Sequence, residues 1–141
     1  MRVALCGICG LALLVAGCGG TSGGPGAGQA SRSNASLMDV GELYRIYTLT
    51  NKKPPESLKD LAPLQNAGPN GFGALKTGEI VVRYGATMAD TEEGPSKTSS
   101  DEILAYEKTV PESGGAVLML DRTMKTMTAE EFKAGKKAGK G

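Results

Sequence analysis

Gly114-Gly115-Ala116-Val117-Leu118-Met119-Leu120-Asp121-Arg122-Thr123 is the stretch that decides the fold. Five consecutive apolar residues, Ala116 to Leu120, stand between a Gly-Gly pair and an Asp-Arg-Thr turn. The run is too short for a helix, and its unbroken apolarity marks a central strand covered on both faces. Its neighbours in sequence are then its expected neighbours in a sheet. Upstream, Glu102 to Lys108 alternates Ile103 and Ala105 with Leu104 and Tyr106, and Pro111 to Gly115 reads as the turn between the two strands. Downstream, Met124 to Met127 returns as a short strand with Lys125-Thr126 between its apolar ends. Earlier in the chain, Glu79 to Tyr84 places Ile80, Val82 and Tyr84 on one face, with Gly85 as its end. Thr128 and Glu131 form a capping box for a short last helix, and Met127 is placed to staple onto Phe132.

Such a sheet needs a cover. Leu37, Val40, Leu43, Tyr44 and Tyr47 recur at helical spacing, with Ile46 beside them. Ser36 with Asp39 three residues on matches a capping box, Asp standing for Glu. Gly41 weakens this helix by up to about 1 kcal/mol relative to Ala, and permits close packing. Asn51-Lys52-Lys53 ends it, Pro54-Pro55 forbids its continuation, and Pro55 opens a short helical turn carrying Leu58 and Leu61. The Tyr stripe reads as core rather than as a binding face. Residues 65–78, with Gly68-Pro69-Asn70-Gly71-Phe72-Gly73, read as a turn-rich loop. The glycines lack dinucleotide-binding spacing, no strand precedes them, and no Gly-Lys-Ser/Thr follows. The expected class is α+β: an N-terminal helix packed on a small antiparallel sheet of three to four strands, a short C-terminal helix, and a disordered linker and tail.

Composition limits what such a domain does. The 141 residues include no His, no Trp, two Phe and four Tyr, and the formal net charge is +1. A neutral balance speaks against nucleic acid as a partner, because phosphate contacts need a basic surface. The exception is the tail, with Lys133, Lys136, Lys137 and Lys140 alternating with Gly and Ala. It reads as a disordered solubilising segment, with anionic headgroups or cell-wall polymer as its alternative contacts. No cofactor motif is present.

The front of the chain is a processing segment. Arg2 gives a positive start, and Val3 to Ala16 is apolar apart from Gly7 and Gly10. The run is shorter than the roughly 20 residues of a membrane-spanning helix and fits a signal-peptide core. Cys6-Gly-Ile-Cys9 has the spacing of a redox or zinc pair, but it stands alone inside the leader. The leader ends Val15-Ala16-Gly17-Cys18, which resembles the lipobox of bacterial lipoproteins. That resemblance implies cleavage between Gly17 and Cys18 and a diacylglyceryl thioether on Cys18, with acylation of the freed amine (palmitate or a similar chain). Gly19 rather than Asp after the cysteine leans towards the outer membrane, with the cell membrane as the other location. Each buried methylene contributes about 0.8 kcal/mol, so two or three chains hold firmly where one does not. Residues 19–36 follow as a Gly/Ser-rich tether. The expected organisation is signal peptide 1–17, lipidated cysteine and tether 18–36, domain 37–134, and basic tail 135–141.

The order of tether, long helix, Pro-Pro turn and antiparallel strands resembles the globular region of type II secretion pseudopilins and related prepilin-like proteins. Residues 104–132 are similar to the C-terminal part of large planctomycete prepilin-type families, in which a His precedes an Asp-Gly pair. Pro111 stands at the His position and Arg122 at the Gly position, so only Asp121 of that motif survives. The resemblance implies the shape of a pilin head, moved onto a lipid anchor instead of a retained hydrophobic helix.

Three functional readings follow. The first is a non-catalytic envelope lipoprotein that binds a protein partner or cell-surface polymer. The second is a small-ligand or metal-binding module built on the polar stretch 87–101, with Asp90, Glu92 and Glu93 as candidate calcium ligands, although the alternating-oxygen loop pattern is missing. An ordinary mobile loop is the plainer account of that stretch. The third is a His-independent hydrolase, with Glu107 and Asp121 on adjacent strands as a candidate carboxylate pair. The lack of His removes His-based triads and metal sites. Lipidation would remove the Cys18 thiol, and few aromatics remain to line a sugar cleft. The chain is therefore expected not to be an enzyme. Cys18→Ser is expected to leave the chain unprocessed and out of the lipid-anchored fraction, as read by cell fractionation and intact mass; a processed, membrane-bound product would overturn the lipobox reading.

Overall fold

The computed structural model describes residues 27–141, with side chains from Arg32 onward. The expected signal peptide, Gly17, Cys18 and the first part of the expected tether lie outside the described residues. Five helices and five strands follow in the order α1 (Ala27–Asn51), α2 (Leu58–Leu61), a 3₁₀ segment (Ala62–Ala67), α3 (Pro69–Thr77), β1 (Ile80–Val82), β2 (Glu102–Glu107), α4 (Val110–Ser113), β3 (Gly115–Met119), β4 (Met124–Met127), α5 (Ala129–Ala134) and β5 (Lys136–Lys137). The class is α+β, with α1 lying on a small sheet. Among the described residues no helix is long and apolar enough to cross a membrane.

The sheet is an antiparallel meander, β1-β2-β3-β4. As its apolar run requires, β3 is central and covered twice. Leu118 faces a core shared with Leu37, Val40 and Tyr44 of α1. Val117 and Met119 face a second core with Ile103, Val110 and Phe132. In β2 the register slips between Ile103 and Ala105. A bulge of this kind lets two successive residues share a face, and Leu104 and Ala105 both enter the α1 core. Gly41 is where α1 meets the sheet: a Cβ there would stand 3.1 Å from Leu118 Cδ2. The last helix starts as its sequence demands. Thr128 Oγ1 accepts the Glu131 N–H at 3.2 Å, and Glu131 Oε2 accepts the Thr128 N–H at 2.8 Å. Met127 packs against the Phe132 core, and the Tyr106 and Phe132 rings lie 4.6 Å apart, tilted by 56°.

Three expectations are corrected. First, α1 begins at Ala27 and absorbs the last part of the expected tether, so Ser36 is an interior helical residue and not a cap. Extending an existing helix through Ala-containing sequence is far easier than nucleating one. Asp39 caps a different helix: its Oδ2 accepts the N–H groups of Asn70 (3.1 Å) and Gly71 (3.2 Å) at the start of α3. Secondly, the glycine-rich stretch expected as a loop contains α3. Pro69 occupies its first turn and Gly78, at φ +75°, closes it. Gly71 is the reason it tolerates glycine: a Cβ there would fall 2.6 Å from Asp39 Cβ and 2.7 Å from the Val40 nitrogen, so α3 lies backbone to backbone on α1. The Pro111 turn is likewise the short helix α4.

Thirdly, the basic tail expected to be disordered is part of the sheet. β1 and β2 pair only over Ile80–Val82 and Ala105–Glu107, which leaves the first half of β2 open on that side. Lys136 and Lys137 pair there in parallel with Glu102 and Ile103, and Tyr84 and Lys140 form an antiparallel bridge. Ala138 is 1% exposed and belongs to the α1 core. Composition says nothing of this, because the seat is made by the divergence of two strands.

Gly71→Ala is expected to lower stability by about 1–3 kcal/mol, as overpacking does. At Gly73 nothing lies within 4 Å of an added Cβ, and Gly73→Ala is expected to raise stability by about 0.5–1 kcal/mol through helix propensity. Denaturant unfolding of the two variants checks the opposite signs.

Candidate functional site

The polar segment between β1 and β2 offers most of the chain's unusual chemistry, and it is pinned at several points. At its start Ala86 and Met88 are buried in the α1 core. The Tyr44 hydroxyl, fully buried, accepts the Ala86 N–H at 2.8 Å and donates to the Ala86 carbonyl at 3.0 Å. Burial pushes the Tyr44 phenol up to about 12, against the lowering effect of the Ala86 backbone. One residue on, Arg45 donates from Nη1 to the Thr91 carbonyl at 3.0 Å and from Nε to Glu42 Oε2 at 2.8 Å. The Arg45 hydrogen bond holds the Glu42 carboxyl below the usual range despite partial burial. At the far end, Asp121 Oδ2 accepts the Ser100 N–H at 2.8 Å. Burial raises Asp121, but hydrogen bonds from Thr123 and Ser100 outweigh it and hold the carboxyl low.

Asp90 organises the middle. Its Oδ1 accepts the Glu92 N–H at 2.8 Å, and its Oδ2 accepts the Lys97 N–H at 2.7 Å and the Ser96 hydroxyl at 3.1 Å. These bonds, the Glu92 amide first, keep the carboxyl below its ordinary value. Glu92 pairs with Lys97 Nζ, and Glu93 lies in the field of Arg45. The three candidate calcium ligands are thus engaged separately. Among the described residues no group of three or more His, Cys, Asp or Glu side chains is placed to hold a metal ion. Between this segment and the β3–β4 turn lies a cavity of about 100 Å³, lined by Asp90, Ser96, Thr98, Ser99, Ser100 and Asp121. That volume admits a few waters rather than a sugar or a nucleotide.

The proposed carboxylate pair does not form. Tyr106 pairs with Val117 and Ile103 with Met119, which sends Glu107 and Asp121 to opposite ends of the β2–β3 ladder. Glu107 accepts the Ala116 N–H at 3.2 Å, while Asp121 binds Ser100 and Thr123. Pro111, in α4, is likewise separated from Asp121 by the length of β3. A second, open concavity of about 460 Å³ is bordered by Glu112, Thr126, Thr128, Glu130 and Glu131. Glu131 is already committed to the α5 cap.

Sequence reasoning missed Tyr44, Arg45, Met88 and Arg122 as parts of this region. The Glu42–Arg45 pair, three apart on a helix, was the available signal. Arg122 gave none: it adopts φ +66° in the β3–β4 turn, its stem crosses Gly41, and its Nε and Nη2 are buried without a hydrogen-bond partner among the described residues. Its charge helps to lower both Glu42 and Asp90. No protein-family profile, curated protein or solved structure matches the chain.

A raised phenol has a definite pH consequence. An unfolded Tyr ionises near 10, so between about pH 10 and 12 the unfolded chain has lost a proton that Tyr44 keeps in the fold. Stability is full below about pH 10 and falls as pH rises towards 12. Tyr84, half-buried and also raised by burial, contributes in the same direction. Urea unfolding across this range is expected to show a shallower decline in Tyr44→Phe than in the native chain, and at neutral pH the variant loses about 1–3 kcal/mol for the orphaned Ala86 backbone groups.

Proposed function

We propose that the chain is a membrane-anchored envelope lipoprotein whose α+β head is a non-catalytic interaction or structural module. The observation that carries this reading is the Val15-Ala16-Gly17-Cys18 lipobox at the end of an apolar leader. Residues 19–26, which lie outside the described residues, stand between Cys18 and Ala27, the first described residue of α1. In this reading α1 is both the spine of the core and the element that hands load from lipid to head. Its 25 residues run about 37 Å at helical rise.

The head's polar groups support an interaction role over catalysis. Asp90, Asp121, Glu107 and Glu131 each accept hydrogen bonds from the local backbone, so they act as structural clamps. A general acid or base needs instead to face a substrate-sized cleft. The pilin-like reading of the sequence is supported by element order alone: a long helix, then short helices, then an antiparallel meander. On this view the head keeps a pilin's shape, while lipid replaces the hydrophobic helix that pilins use to assemble.

Cross-linking in the native envelope, followed by affinity recovery, is expected to return a discrete adduct with an envelope protein or surface polymer, in much lower yield from Cys18→Ser. Recovery of no specific partner would remove the interaction role. Equal recovery from both chains would remove its dependence on the anchor.

A further inference from the structure

The tail's seat is a built strand-acceptor site. The last β1–β2 bond runs from the Arg83 N–H to the Leu104 carbonyl at 2.8 Å, and the chain then turns away, with the Gly85 N–H bonded to the Pro55 carbonyl at 2.8 Å. The tail wedges into the opening and bonds to both walls. The Ala138 N–H donates to the Ile103 carbonyl at 2.9 Å, and Tyr84 and Lys140 exchange both backbone bonds, at 3.0 and 2.6 Å. Arg83 Nε donates to the Ala138 carbonyl at 3.1 Å.

The seat is selective for this sequence. At 138 only a small side chain fits, because Ala138 is buried among the α1 core. At 139 no side chain fits: the residue has φ +50°, and a Cβ would stand 2.2 Å from the Tyr84 oxygen. Lys136 Nζ meets Asp101 Oδ2 at 2.8 Å, and Lys137 Nζ lies 4.2 Å from the centroid of the Phe132 ring.

The occupant is joined to the head only through Gly135, which is extended at φ −67° and ψ 146° directly after α5. Little apolar burial beyond the Ala138 methyl holds it, and its ion pair is exposed on both sides, at 70% and 71%. The seat's contacts with residues 136–140 come from Arg83, Tyr84, Ala86, Asp101, Glu102, Ile103, Phe132 and the α1 core around Ala138, all of them head residues, so an identical tail arriving from elsewhere makes the same contacts. Exchange of an identical element across a short hinge is a low-cost route to a closed dimer. We propose that this seat accepts residues 136–140 of a second copy of the chain, so that two copies swap tails reciprocally.

The Asp101–Lys136 pair supplies a probe that needs no mutation. Purified full-length chains carrying ¹⁴N and ¹⁵N are mixed in equal amounts, equilibrated over a concentration series, and treated with a zero-length carbodiimide. The linked Asp101–Lys136 peptide is then read by mass spectrometry. Reciprocal swapping predicts mixed-label links that rise with concentration and approach about half of all such links at full exchange. Only same-label links at every concentration would overturn the proposal. Gly139→Ala, which blocks seating in either copy, is expected to abolish the mixed link; its persistence would show random encounter and also overturn the proposal. Ala138→Asp is the second seat-breaking variant, and circular dichroism identifies whichever of the two keeps its fold.

Discussion

The buried contact between the Tyr44 hydroxyl and both backbone groups of Ala86 is the point on which the rest of the architecture turns. An amide and a carbonyl at the end of a strand would ordinarily pair with the next strand or with water. Here a single phenol on α1 takes both. That satisfies both backbone groups of Ala86 just beyond the point where β1 has parted from β2. The divergence makes room for the tail, carries Met88 into the core, and starts the polar segment that Arg45 and Asp121 then hold. A Phe at 44 would fill the same volume and supply none of this.

Much of the framework was legible because it rests on local pattern. The alternation in Glu102–Glu107, the unbroken run in β3, the Thr128–Glu131 box and the stripe Leu37–Val40–Tyr44 each state their structure within a few residues. What was not legible depends on partners distant in sequence. Asp39 looks like the cap of its own helix because Ser36 lies three residues before it, yet its carboxylate caps α3. Two glycines in nine residues suppress helix propensity in α3, and the contact of Gly71 with the α1 backbone turns that one into an advantage. Lys-Lys-Ala-Gly-Lys has no periodicity to read, and its order comes from a gap between strands some thirty to fifty residues earlier.

The candidate site follows the same rule. Its acidic residues were visible, but their roles were not, because a carboxylate that braces a loop and one that binds a ligand have the same sequence appearance. The discriminating fact is where the donors come from. Asp90 draws on Glu92, Ser96 and Lys97, all within its own loop, and Asp121 on Ser100 and Thr123. Several of the acidic side chains are thus committed to internal fastening. Exposed pairs such as Lys136–Asp101 and Lys97–Glu92 fix geometry more than they add stability, since solvent screens them.

The backbone-to-backbone contact of α3 with α1 has one more consequence. Side chains at an ordinary helix interface act as cushions that can change rotamer and let the helices slide. Where Gly71 meets Val40 there is no cushion, and the Asp39 carboxylate, bonded to the Gly71 N–H, locks the register at the same contact. A pull along the axis of α1 is therefore passed to α3 as a rigid displacement, and from α3 to β1, which follows it after two residues. Residues 27–82 are thus coupled like a mechanical linkage, stiff along the axis of α1.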